Sequence, residues 1–458
     1  MTTLKIDNAD FILTLNPSRH IIRNGSILIN QGNIVQIGKT LDLKYVLAEK
    51  VINAEGMIVT PGFINGHAHL SYAHATRGIF PDNLPNLDYL RSVFALQSIM
   101  TEEEEYYTSL LAITELIKYG TTCFFDPGTT KFLEACMSAY QMSGCRILLG
   151  RQVVDQPNPI NIPPISTQNG LKHIEETIRR YDHHLNDKVR VWATPFSSEF
   201  CSEELLRGSK KIADEYGTGL TLHQSNRPRT IQHHLTKFGE RPVEYLKHIG
   251  LLGSNVLLAH VTGLNSKEID CISQSDTKTV MCPSASLKSG SGTLANGMLP
   301  EMLKKNICVA LGTDSANNSN LLEIFKAMYL VSVIYKDARE NVDIIPPETS
   351  VEMATIRGAQ ALGLEKQIGS IEIGKKADLV LLDTMRPEMR TIFNPINNIV
   401  YNADGRCVHT VIINGNPVVE NHSPLFVDEI KLINKMQTIG ENLLARAKLS
   451  IKPRWPFI

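Results

Sequence analysis

Residues 189–226, VRVWATPFSSEFCSEELLRGSKKIADEYGTGLTLHQSN, carry the reading that decides the fold. The apolar runs VRVWATPF and GLTLH have strand length, and SEELLRGSKKIADEYG between them has helical periodicity, so the stretch reads strand, helix, strand. The pattern repeats in both directions. TTCFFDPG (121–128) and CRILLG (145–150) precede it, while NVLLAHV (255–261), TVMCPS (279–284) and ICVALGTDS (307–315) follow. Helical stretches EEEYYTSLLAITELIKYG and GMLPEMLKKN lie among these runs. Each run ends in polar or small residues that start a loop, as the top of a barrel strand should. An α/β chain with a (β/α)8 TIM barrel over residues 60–365 is expected. Thr101, followed by Glu102 to Glu105, reads as a capped helix start whose carboxylates oppose the positive end of the helix dipole.

Outside the barrel, residues 3–59 read as short strands split by turns: ADFILTL, GSILINQGNIVQIG and KVINAEGMIVT. That is a small antiparallel unit. A matching pattern returns in IGSIEIGKKADLVLLD and CVHTVIINGNPVVE, with turns at Gly374 and Asn414-Gly415. Residues 1–59 and 366–425 are expected to pair into one composite β-sandwich domain, and two independent hairpins are the alternative. Residues 426–458 read as a C-terminal helix and a basic, Pro-containing tail that packs on the barrel or on a second subunit. The Pro-rich QPNPINIPPISTQNG (156–170) reads as an excursion over the barrel, a candidate lid.

The chain has 46 Lys and Arg against 47 Asp and Glu, so no overall field draws nucleic acid or anionic lipid, and a small molecule is the expected partner. Its 8 cysteines are scattered without the close pairs that zinc ribbons or redox motifs need, which suits free thiols in a reducing compartment. Asp7 and Asp10 interrupt what would be the apolar stretch of a signal peptide, and no segment offers ~18 uncharged apolar residues. Cytoplasmic residence, no membrane and no nucleic-acid partner are the expectations.

The chemistry-bearing residues sit at strand ends. PGFINGHAHL (61–70) leads through Phe63 and Ile64 to His67 and His69, whose i, i+2 spacing on a strand points both imidazoles to one face. His223 closes GLTLH, His260 closes NVLLAH and Asp314 follows ALGT. In a closed parallel barrel these ends converge on one rim. Imidazole nitrogens with one carboxylate suit one divalent metal ion per subunit, zinc first and iron(II) second, with a coordination position left for water. Such an ion lowers the pKa of its water from 15.7 towards ~7. Metal ligation by His67, His69, His223 and Asp314 is therefore expected, with Asp314 also the general base and His260 polarising the substrate or orienting the water.

In order along the chain, PGFINGHAHL, TRGI, ELIKYGTTCFFD, TLHQ, LLAHVTGL, MCPSASLKSGSG, ALGTDSANNSN and IGSIEIGKKADLVLLD resemble the landmarks of the amidohydrolase superfamily. The resemblance is to its deaminases and chlorohydrolases acting on S-adenosylhomocysteine, guanine and s-triazines. It implies a distorted (β/α)8 barrel with a composite β-sandwich and a metal at positions matching His67, His69, His223 and Asp314. The implied reaction is hydrolytic release of ammonia, an amine or chloride from an electron-poor N-heterocycle such as a purine, pterin or s-triazine. A homo-oligomer, dimer or tetramer, is the expected assembly.

Two departures bear on function. The deaminase group reads His-x-x-Glu after the fifth strand, where the Glu protonates the ring; here His223 is followed by Gln224, Ser225 and Asn226. An amide has no titratable proton near neutral pH but still donates a hydrogen bond. Asn226 is thus expected among the catalytic and substrate-binding residues, with Glu199 or Asp314 as the displaced acid. Leu87, Asp88 and Tyr89 stand where S-adenosylhomocysteine deaminases tend to carry a tryptophan. Gln224, His74, Glu199 and Ser284 are further candidates for lining the pocket. His183-His184 and His233-His234 read as solvated pairs, the second in a loop over the pocket. Opening of a cyclic amide or loss of chloride is the alternative reaction, and a catalytically silent metal-binding homologue is the third reading.

Overall fold

The computed structural model describes residues 3–449 and Trp455. The basic tail expected beyond the C-terminal helix lies, apart from Trp455, outside the described residues. The N-terminal strands are β1 (Leu4–Leu13), β2 (Ile21–Asn30), β3 (Asn33–Lys39), β4 (Lys50–Asn53) and β5 (Met57–Pro61). β1, β2 and β3 pair antiparallel as the turns predict, but β4 and β5 both run parallel to β1. The expectation of a purely antiparallel unit fails because the chain crosses over after β3 and returns to the opposite edge of β1.

The barrel strands are β6 (Phe63–Asn65), a two-residue continuation β7 (Ala68–His69), then β8 (Thr121–Asp126), β9 (Arg146–Leu149), β10 (Val189–Val191), β11 (Leu220–Gln224), β12 (Val256–His260), β13 (Lys278–Met281) and β14 (Val309–Leu311), with β15 (Asp314–Ser315) beyond it. All pair parallel, in two four-stranded ladders, β10-β9-β8-β6 and β11-β12-β13-β14, and the short pair β15-β7. The ladders meet on one side through the parallel bridges Ala193–Leu220 and Ser197–His223. On the other side the Gly66 amide donates to the Leu311 carbonyl at 2.8 Å. The barrel is therefore closed. Its interior holds Ile64, Cys123, Phe125, Leu148, Trp192, Leu257, Ala259, Val280 and Ala310 in one buried cluster, the packed layers a barrel of this size requires.

The C-terminal strands β16 (Leu379–Asp383), β17 (Val408–Ile413), β18 (Asn416–Glu420) and β19 (Ser423–Pro424) join the N-terminal ones. β16 pairs antiparallel with β5 from Leu379–Pro61 to Asp383–Met57, so the two chain ends share a single sheet over a core that includes Ile6, Ile12, Ile27, Val59, Leu379 and Ile412. β5 runs on through Gly62 into β6, which makes that sheet the base from which the first barrel strand is launched. The helix Glu102–Lys118 has the capped start read at Thr101, and the structure makes it a capping box closed by Glu104. Among the described residues no helix is long and apolar enough to cross a membrane, and all eight cysteines are free.

Candidate metal centre and pocket

Beyond the ends of β6 and β14 the chain is drawn together by close packing. A Cβ on Gly66 would stand 3.0 Å from Val280 Cγ2, and one on Gly312 would stand 3.0 Å from the His67 carbonyl. With both positions bare, β7 and β15 pair, and the Asp314 amide donates to the His67 carbonyl at 2.9 Å. Asn65 fastens the same junction. Its amide nitrogen donates to Thr313 Oγ1 at 2.7 Å, and its oxygen accepts from the backbone amides of Thr313 at 3.2 Å and His67 at 3.3 Å.

This places the His67, His69 and His223 rings together, each offering one donor atom within 4.8 Å of the others. The hydrogen-bond pattern fixes which nitrogens face inward. His223 Nδ1 lies 3.0 Å from the Phe196 carbonyl, which can only accept, so Nδ1 carries the proton and Nε2 presents a lone pair. His69 Nδ1 meets Thr129 Oγ1 at 2.7 Å, and its Nε2 lies 3.4 Å from His223 Nε2. His67 Nε2 is buried with no partner. Burial drives the His67 and His69 imidazoles well below the usual histidine range, and the neighbouring imidazoles add to the effect. His223 is brought down to about 4 by burial and then by His260, and His260 to about 4 by burial and then by Arg227. Neutral rings with lone pairs converging on one point are what a divalent cation requires, so the residues fit the group.

Asp314 and His260 reach the same space by backbone distortion. On β12, Leu257 and Ala259 face the barrel interior while Val256 and Leu258 pack outside. Strict alternation would send His260 outward. A φ of 78° at His260 breaks the alternation, and Asp314 has a φ of 63°, both in the left-handed region that non-glycine residues rarely occupy. Asp314 Oδ1 stands 3.7 Å from His69 Nε2, accepts from the Ser315 amide at 2.7 Å, and Oδ2 accepts from Asn318 at 3.2 Å. Burial pushes its carboxyl up, and His223 pulls the other way.

His69, His223, His260 and Asp314 line a pocket whose walls include Tyr72, Tyr89, Leu90, Phe94, Phe196 and Phe200. Ile160, from the Pro-rich excursion, is fully buried against Phe200 and Val154 and lines the pocket. Asn226 and Glu199 line it too, and they are linked: Thr230 Oγ1 lies 2.8 Å from Glu199 Oε2 and 2.9 Å from Asn226 Oδ1.

Three expected lining residues are not brought to the pocket. Gln224 is buried behind it, exchanging hydrogen bonds with Ser198, whose hydroxyl also meets His234 Nε2 at 2.8 Å. On β11 it is the residue whose side chain alternates away from that of His223. His74 is buried on Glu115, 3.0 Å from its carboxylate, with Arg77 on the same oxygen. Ser284 is buried at the start of the helix Pro283–Lys288, whose pocket-facing members are Ala285 and Ser286. The His233-His234 pair is not a solvated loop: both residues belong to the helix Pro228–Phe238, and His234 is fully buried. Sequence reasoning missed Asn65, Thr129 and Thr230, and it passed over Arg227 and Arg229, which also line the pocket. The pattern N-R-P-R-T, two cations at a helix start just past a metal-ligand strand, is a signal that a charge-by-position reading would have found.

The profile of the Amidohydrolase family matches residues 58–418. A 5'-deoxyadenosine deaminase of Methanobrevibacter smithii is 33% identical over 440 residues, covering 95% of this chain and 98% of its own. A 5-methylthioadenosine/S-adenosylhomocysteine deaminase of Syntrophobacter fumaroxidans is 30% identical over 434 residues, 94% and 96% of the two chains. Among solved structures, a zinc-bound adenosine deaminase from Xanthomonas campestris superposes with a TM-score of 0.88 at 22% identity, over 96% of this chain and 98% of that one. A zinc complex of an atrazine chlorohydrolase from Arthrobacter aurescens also scores 0.88, at 20% identity, over 95% and 100%. These two likenesses speak to the fold.

Proposed function

This chain belongs to the amidohydrolase family and is a hydrolase of C–N bonds, and we propose that it removes ammonia or an amine from a small N-heterocycle, a purine, pterin or s-triazine. The observation that carries the reading is the convergence of three neutral imidazoles, His67, His69 and His223, on one point at the floor of a pocket walled by aromatic rings. His67, His69, His223 and Asp314 would hold a divalent ion, zinc by the softness of the donor set. When bound there, the ion supplies Lewis acidity and a water of lowered pKa.

The chain's own residues do the rest. Phe94, Phe196 and Phe200 take the ring faces. Asp314 accepts the water proton at a carboxylate oxygen, and His260 donates to the oxygen or nitrogen that gains charge at the reacting carbon. Asn226 cannot protonate the ring. Glu199 supports a substitute: its carboxyl and the Asn226 amide share the single Thr230 hydroxyl. With the acid proton of Glu199 on Oε1, on the side away from Thr230, the Thr230 hydroxyl donates to Asn226 Oδ1 and the amide NH2 is left to donate to a ring nitrogen. Glu199, itself a pocket-lining residue, passes that proton directly to a second ring nitrogen, and the Thr230 hydroxyl then turns to the carboxylate left behind. Glu199 is thus the acid, and Asn226 orients the ring.

The test is ammonia or amine release by zinc-loaded protein across purines, pterins and substituted triazines, in wild type, Asn226→Glu and Glu199→Gln. Release by wild type and its loss in Glu199→Gln is the expected outcome; metal-replete protein that releases neither from any scaffold contradicts the reading. Asn226 also favours a second reaction, opening of a cyclic amide or departure of chloride, in which no ring nitrogen needs a proton. Turnover without ammonia or amine would establish that one instead.

A further inference from the structure

Arg227 and Arg229 flank Pro228 at the start of the helix Pro228–Phe238, and both line the pocket. Arg227 spends one hydrogen bond, Nη1 to the Ser289 carbonyl at 3.1 Å. Arg229 has Nε and Nη1 buried with no partner. Among the described residues neither guanidinium is in an ion pair, although the pocket holds two carboxylates. Those carboxylates are engaged elsewhere, Glu199 by Thr230 and Asp314 by Ser315 and Asn318. Two like charges side by side in a half-buried site are costly unless an anion joins them. The cation that the imidazoles await would add a further positive charge, and the helix N-terminus supplies another partial one.

We propose that the pocket is built for an anionic heterocycle, whose carboxylate or phosphate oxygens are gripped by Arg227 and Arg229 while its ring lies against the aromatic wall. The inference rests on the hydrolase reading above and adds the charge of the substrate to it. The planar fork of each guanidinium matches an oxyanion in two-point contact, which a lysine would not. Ser286 and Ser291 line the same pocket and can donate to the remaining oxygens, whereas the Ser289 hydroxyl is spent on the Ala285 carbonyl at 2.6 Å. A neutral ring would leave the buried Arg229 donors unpaired, so the same residues select against uncharged relatives of the substrate.

Zinc-loaded protein is titrated calorimetrically with purine, pterin and triazine scaffolds, each as carboxylic acid, phosphate monoester and neutral amide. The expected result is at least one scaffold whose charged form binds roughly tenfold or more tighter than its amide. That preference should collapse to about twofold in Arg229→Gln and in Arg227→Gln, and return in part in Arg229→Lys. The larger of the carboxylate and phosphate preferences identifies the oxyanion. Metal content and melting temperature of each variant show whether it is folded, and either arginine variant alone suffices if the other is not. Equal binding of charged and neutral forms, no binding of any charged form, or a preference that survives substitution overturns the proposal. The two readings fail separately. Arginine-dependent binding without release of ammonia or amine refutes the hydrolase reaction but not the anion site, and release from amides with no charge preference refutes the site alone.

Discussion

His67 Nε2 is buried with no hydrogen-bond partner, and His69 Nε2 faces His223 Nε2 across 3.4 Å. A divalent cation held there would give the three nitrogens a common partner. Asn65 matters as much as the imidazoles do, because its one side chain satisfies two backbone amides and a hydroxyl at the junction of the His67 and Asp314 segments. Asn65→Ala leaves the buried His67 amide unpaired and the Thr313 amide with only the His67 carbonyl to donate to. It is expected to cost about 2 kcal/mol or more of stability and roughly 10–100-fold in zinc affinity, read by urea denaturation and by competition with a chromophoric chelator. Wild-type zinc affinity in this variant would remove Asn65 from the support of the site. His67, His69, His223, His260 and Asp314 were legible in the sequence because each ends an apolar run. Asn65 was not, because its importance comes from a partner 248 positions away.

At the scale of elements, the loop after β7 is tied to the helix Glu102–Lys118 by Glu115, which accepts from His74 at 3.0 Å, from Arg77 and from the Leu322 amide at 2.8 Å. Burial raises this carboxyl, but His74, Arg77 and the Leu322 amide outweigh it and leave it at about 2, below the ordinary 4.5. A depressed carboxyl contributes stability that is whole above the unfolded pKa and lost as pH falls through the folded one. The contribution of Glu115 is therefore present above pH 4.5 and decays toward pH 2. Glu115→Gln should be less stable than wild type at pH 7, with the gap closing between those two values in acid denaturation followed by circular dichroism. A gap independent of pH would show that Glu115 acts by packing alone. The strands of the barrel were readable as elements because their apolar runs are bounded by turn residues. Alternation along a strand would have misplaced His260, where a φ of 78° turns the side chain, and it was not applied to Gln224, where it holds.

At the scale of the whole molecule, the composite sheet and the barrel are locked by Arg146 on β9, whose guanidinium meets Asp378 at 2.8 and 3.2 Å with both side chains buried. Asp378 also accepts from the Asn414 amide at 2.7 Å, and its carbonyl takes the Gly62 amide just before β6. Asp378 thus joins a barrel strand and the sheet hairpin through its carboxylate, and the launch point of β6 through its carbonyl. Asp378→Ala leaves Arg146 charged, buried and alone, an expected loss of about 3–5 kcal/mol in denaturant melts. A change within about 0.5 kcal/mol would mean that the two units are held by their apolar contacts. The pairing of the chain ends was foreshadowed by their matching strand patterns, whereas this ion pair could not be, since its partners are 232 residues apart.

Metal content measured alongside turnover in wild type, His67→Ala and His223→Ala tests most directly whether a cation sits at the three imidazoles. One equivalent of divalent metal in wild type, lost together with ammonia or amine release in both variants, is the predicted result; full metal and full activity in both would contradict it.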